Sequence, residues 1–143
     1  MCSSDLDGAP AEYTPQPGVA DLVSLARCDP VPVVDVELPD DLDELPRQVD
    51  AVVYRLAQEA LTNALRHARS ASRVEIRVVQ GGGRLRLRVT DDGQTDPARP
   101  ASHGFGLLGM TERAELLGGT LRAGPAPGGG WAVDAELPTE VAR

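Results

Sequence analysis

The chain has 143 residues, 41% of them apolar, and a formal net charge of −8. That length suits one domain able to bury a core without disulfides or metal staples. The acidic balance argues against a nucleic-acid surface, and no apolar run approaches the ~18 residues that a membrane-spanning helix needs. The start, Met1 to Pro10, is small and acidic rather than basic then greasy, so it does not read as a secretory leader.

The charge is unevenly spread. Residues 1–50 hold 12 of the 22 acids, and only Arg27 and Arg47 among the bases. All 14 basic residues are arginine, because the chain contains no lysine. That excludes a Walker A phosphate loop, the strand lysine of eukaryotic-type protein kinases and a Schiff-base mechanism. Cys2 and Cys28 form no Cys-x-x-Cys pair, and with only His67 and His103 beside them a structural zinc site is not expected. The cysteines fit a reducing cytoplasm.

Residues 1–17, with Pro10, Pro15, Pro17 and Gly8, read as a flexible linker from an upstream part, and residues 18–143 as the domain proper. Ala20 to Arg27 fits a short amphipathic helix, and Val31 to Leu38 a β-strand. An acidic loop, Pro39 to Glu44, precedes the longest helical pattern, about Leu45 to Arg69, whose apolar positions from Val52 to Ala68 repeat with helical period. Arg73 to Val79 and Arg84 to Thr90 alternate arginine with Val, Ile or Leu around Gly81-Gly82-Gly83, a hairpin signature. A long polar loop, Asp92 to His103, leads to a helix from Gly104 to Leu117, stopped by Gly118-Gly119. Two strands, Thr120 to Ala123 and Trp131 to Leu137, complete the order. Paired hairpins with intervening helices predict a two-layer α/β sandwich with a mixed β-sheet.

Three groups of residues could carry chemistry. On the long helix, Glu59, Asn63 and His67 fall within about 80° of one another at 100° per residue, with Arg66 beside Glu59. Such a row is either a half-solvated boundary or a set of oxygens able to polarise water and hold a hard cation such as Mg²⁺. Asp91 shares parity with Leu85, Leu87 and Val89, which aims its carboxylate inward, where it is costly unless it meets a donor. Either the strand has ended and Asp91 caps the turn, or it sits at the base of a pocket and accepts from a ligand amino group, with Gly93 allowing close approach. Gly104-Phe105-Gly106-Leu107-Leu108-Gly109 matches GxGxxG literally. A polar loop precedes it, however, and no acid lies about twenty residues on, so a dinucleotide fold is not indicated. Glycines at a helix start still expose N–H groups that suit phosphate.

Taken in order, these pieces resemble one family. Glu59-Ala-Leu-Thr-Asn63-Ala-Leu-Arg-His67-Ala is similar to the N box of the histidine-kinase ATPase domain. Asp91-Asp92-Gly93 resembles its first glycine box and Gly104-Phe-Gly106-Leu-Leu-Gly109-Met its second, with similar flanks at Glu112-Arg113-Ala114 and Gly118-Gly119-Thr120-Leu121. The resemblance runs from about Pro17 to Pro138 and is to the sensor kinases that signal to response regulators with helix-turn-helix output domains.

It implies a Bergerat ATP-binding fold. It also implies Asp91 as acceptor for the adenine amino group, with Gly93 at its turn, Asn63 as Mg²⁺ ligand and Glu59 as the catalytic residue that activates the reaction. Arg66 and His67 would lie near the phosphates. Asp92 to His103 would form an ATP lid, with Gly104, Gly106, Leu107 and Gly109 at its phosphate end. Where the first glycine box usually ends in glycine, this chain has Thr95, whose side chain would either restrict the lid or crowd the adenine pocket. Neither His67, in the N box, nor His103, in the lid, suits a phosphoacceptor. The resemblance therefore implies a partner dimerisation and phosphoacceptor domain outside this chain, an indirect partner in a response regulator, ATP and Mg²⁺ as cofactors, and a cytoplasmic setting. Two alternatives use the same boxes: an anti-sigma-factor serine kinase, and a nucleotide-binding regulatory module without transfer.

Overall fold

Five strands form one sheet in a computed structural model, which describes residues 17–28, 32–40, 45–67, 71–93 and 104–139, with the backbone alone at 67 and 104–107. The expected linker up to residue 16, most of the acidic loop, and residues 94–103 of the expected lid, Thr95 and His103 included, lie outside the described residues.

The chain enters through a 3-10 helix, Val19–Leu25. It continues through β1 (Val33–Glu37), α1 (Arg47–His67), β2 (Arg73–Gly81), β3 (Arg84–Asp91), α2 (Gly104–Leu116), β4 (Thr120–Pro125) and β5 (Trp131–Pro138). The strand order is β1-β2-β3-β5-β4. β1 runs parallel to β2, and every other pairing is antiparallel, so the sheet is mixed as expected. β2 and β3 are joined at Gly82 and Gly83, whose φ of 62° and 76° suit the two central positions of a tight hairpin turn.

The period-2 pattern of β2 and β3 decides which face is covered. Val74, Ile76 and Val78 of β2 and Leu85, Leu87 and Val89 of β3 are buried, and the arginines between them are exposed. The buried rows join Val53, Leu56, Ala57, Ala60 and Ala64 of α1 and Met110 and Ala114 of α2 in one core. Both helices therefore lie on one face, and the observed architecture is the expected two-layer sandwich. Small alanines along α1 let the helix approach the sheet closely, while Leu56 and Val53 fill the gap.

The other face is open and charged. Arg73 pairs with Asp35, Arg77 donates to Glu37 at 2.9 Å, and Arg86 and Arg88 both lie 3.8 Å from Asp134.

The sequence expectations differ from the structure mainly at element ends. The first helix is a 3-10 turn, and Arg27 then bridges back to Val34, exchanging hydrogen bonds of 3.0 and 2.9 Å. Its start is fixed by Asp50 in the first turn of α1, which accepts the Val19 N–H at 2.7 Å. A side chain at Gly18 would collide with that carboxylate.

Candidate functional site

Asp91 is the last residue of β3 and the only charged or polar side chain among the described residues that is buried, with 7% of its surface exposed. Its parity with Leu85, Leu87 and Val89 holds: the strand runs through to Asp91 and turns its side chain toward the helix layer. The two sequence readings of this residue coexist. The strand has not ended before Asp91, and yet Asp91 Oδ1 also accepts the Gly93 N–H at 2.9 Å, closing a turn just beyond it. Gly93 is itself buried. A buried carboxylate is held at a cost and must be met by donors.

Two strands frame that carboxylate. Asp91 stands opposite Val74 of β2 and Trp131 of β5 in the ladder. On the β5 side the backbone comes very close. Gly130 is buried with φ of 83°, and a Cβ there would run into the Asp91 carbonyl, so glycine is required on two counts. Sequence reasoning assigned Gly130 no role. The close approach depends on β3 and β5 being neighbours, which no local pattern announces.

Asp92 faces the opposite way. Its carboxylate accepts the backbone N–H groups of Ser72 and Arg73 at 2.8 and 3.0 Å and the Ser72 hydroxyl at 2.5 Å. The Ser72 hydroxyl, with help from these backbone donors, holds the Asp92 carboxyl below the usual carboxylate range, although desolvation opposes the shift. This residue too was missed as a positioned group, because its donors lie on another strand.

α1 carries the polar row. Glu59 and Asn63 are half-buried along one flank of the buried stripe, and Arg66, a turn further on, is exposed. His67 is the last residue of the helix. The spacing of Glu59, Asn63 and Arg66 makes them neighbours on one side of the helix. Because α1 and the Asp91 side chain occupy the same side of the sheet, the fold gathers the first and second groups of candidates into one layer.

Gly104, Gly106, Leu107 and Gly109 all lie in the first two turns of α2. At Gly109 an added Cβ would meet nothing within 4 Å, so packing does not demand glycine there. Among the described residues, no three His, Cys, Asp or Glu side chains converge as a ready metal cage.

A groove of about 500 Å³ opens on the charged face, between Glu75, Arg77, Arg88 and Thr90 and the β4–β5 turn at Ala126 to Gly129, and it reaches Asp91 and Asp92 at the end of β3. Its two arginines are already matched, Arg77 by Glu37 and Arg88 by Asp134.

Residues 49–141 match the family described as histidine kinase-, DNA gyrase B- and HSP90-like ATPase. The chain belongs to that family. The sensor histidine kinase YxjM of Bacillus subtilis (strain 168) is 40% identical over 93 residues, covering 65% of this chain and 22% of that protein. The signal transduction histidine-protein kinase/phosphatase UhpB of Salmonella typhimurium is 45% identical over 69 residues, covering 48% of this chain and 14% of its own length. The histidine kinase domain of the Erythrobacter litoralis EL346 blue-light activated kinase superposes with a TM-score of 0.62 at 27% identity, covering 74% of this chain and 52% of that one. This chain thus spans less than a quarter of the two curated relatives' lengths. The ATPase family and the fold implied by the three boxes are both correct. No helix among the described residues is long and apolar enough to cross a membrane.

Proposed function

We propose that this chain is the ATP-binding catalytic domain of a two-component sensor histidine kinase. In this reading it passes the γ-phosphoryl group of ATP to a histidine on a separate dimerisation domain, from which a response regulator is served in the cytoplasm. Residues 18–143 form the catalytic unit and residues 1–17 the linker. The observation that carries the reading is the buried Asp91 carboxylate at the helix-facing end of β3, with Gly93 beside it. It is supported by the family match and by relatives named as sensor histidine kinases.

Asp91 offers the acceptor that an adenine amino group needs, and guanine presents a carbonyl at that position. Asn63 supplies a half-buried amide oxygen on α1, a hard donor suited to Mg²⁺. With no full cage of His, Cys, Asp and Glu among the described residues, phosphate oxygens and water would complete the coordination. Mg²⁺ held by Asn63 would supply neutralisation of charge on the phosphate oxygens. Glu59 orients the attacking group, and Arg66 and His67 add donors for phosphate. The start of α2 at Gly104, Gly106, Leu107 and Gly109 contributes backbone N–H groups and the positive end of a helix dipole. Phosphoryl transfer asks mainly for positioning and charge stabilisation, which these groups can provide without lysine.

The test uses the chain with labelled ATP and Mg²⁺, alone and with a dimerisation domain of a related sensor kinase. The chain alone is expected to bind ATP and keep no label. The mixture is expected to yield acid-labile phosphohistidine on the added domain. Labelling of this chain at His67 or His103, or turnover by the chain alone faster than ~1 s⁻¹, would overturn the reading.

A further inference from the structure

Asp92 is exposed, and an exposed carboxylate ordinarily spends its hydrogen bonds on water. Here it spends them on the chain. Three donors from Ser72 and Arg73 reach its two oxygens, and its own N–H donates to the Arg73 carbonyl at 3.3 Å. These bonds tie the residue just after β3 to Arg73, the first residue of β2, and to Ser72 just before it, about one sheet spacing away. They act at a critical place. Asp91 is the final ladder residue of β3, and Asp92 and Gly93 follow it outside the strand. Strand ends fray where the pairing stops. The direction of the Asp91 side chain depends on the backbone from 91 to 93, which is held from below by the Gly93 N–H and from the side by the Asp92 clamp.

We propose that Asp92 is a positioning residue for base recognition: by fastening the end of β3 to Ser72 and Arg73 it fixes the Asp91 carboxylate for an adenine amino group. The two adjacent carboxylates then divide the work, the buried one reading the base and the exposed one holding it in place. The proposal rests on the reading of Asp91 given above.

The experiment compares ATP with inosine triphosphate, which has a carbonyl in place of the amino group. Affinities are measured by calorimetry for the chain and for D92A, D92N and S72A, each checked for folding by circular dichroism. The unaltered chain is expected to prefer ATP by about tenfold or more, the worth of one hydrogen bond to a charged acceptor. D92A is expected to lose most of that preference by weakening ATP while leaving inosine triphosphate nearly unchanged. D92N, which keeps an acceptor oxygen, is expected to retain most of it, and S72A to fall between. A D92A variant that melts earlier but keeps the full preference would reduce Asp92 to a staple of the fold and overturn the proposal. Equal loss for both nucleotides would overturn it too. If D92A does not fold, S72A and D92N decide by the same ratio. No preference in the unaltered chain would instead reject Asp91 as the base reader, and the positioning role with it.

Discussion

On its inner face β3 presents Leu85, Leu87, Val89 and then Asp91; on its outer face the same strand presents Arg84, Arg86, Arg88 and Thr90. The outer face is crowded with charge, yet its ion pairs are largely exposed and screened, and Arg86 and Arg88 share Asp134. The inner face carries a single carboxylate in an apolar row. Charge in water is inexpensive and says little about purpose, whereas one charge kept out of water must be maintained for a reason. The groove on the outer face is the more open feature, but the inner end of β3 holds the more informative residue.

The largest expected effect comes from the apolar part of the inner face. Leu87→Ala should destabilise the domain by about 2–5 kcal/mol in urea unfolding, because a buried side chain between α1 and the sheet leaves a cavity. A loss below about 1 kcal/mol would mean that the layers repack freely. Next is the charge in that same row. Asp91→Ala should weaken ATP binding by about 10- to 150-fold, from losing a hydrogen bond of roughly 1.5–3 kcal/mol. Its unfolding free energy should change by no more than about 1 kcal/mol, since the lost Gly93 contact is offset by relief of a buried charge. A variant that unfolds but binds normally would invert the comparison.

On the outer face, Arg77→Ala breaks an exposed pair with Glu37 and should cost about 0–1 kcal/mol with ATP affinity unchanged. Reduced ATP affinity in this variant would show that the charged face serves the nucleotide after all. The smallest effect concerns pH. Asp92 has its folded-state pKa lowered, chiefly by the Ser72 hydroxyl, so its contribution is complete above the ordinary carboxylate range and fades as pH falls below about 4. Melting curves of the chain and of D92N should therefore converge slightly on acidification, and should run parallel between pH 6 and 8. Divergence on acidification would give the shift the wrong sign.

Where the pattern was local, the sequence was enough. Alternation alone put the valines and leucines of β2 and β3 inward, and the 3.6 period alone oriented α1. Asp91 was legible because it continued a parity already established by three apolar residues. Asp92, Ser72 and Gly130 were not, since their significance depends on strands brought together from distant parts of the chain. The 3-10 form of the first helix was equally hidden: its start is fixed by Asp50, which lies in the next helix. The residues proposed for metal and phosphate were picked out by the order of three boxes, each of which is ambiguous by itself. Glu59 and Asn63 show only as a half-buried flank without the glycine boxes to give them a use.

The position of β5 between β3 and β4 has a consequence for when this site comes into being. During synthesis, β1, α1, β2 and β3 all emerge before β5, and β2 and β3 can pair as a hairpin under α1 within a local stretch of chain. Until β5 arrives, β3 is an open edge, and the carbonyl of Asp91 lacks the Gly130 backbone that packs on it. Pairings so remote in sequence pay their loop-closure entropy late and set the pace of folding. Completion of the surroundings of Asp91 is thus coupled to the last strand of the described fold, and a nascent chain stalled before Trp131 would display much of the core while being unable to present Asp91 in its finished setting.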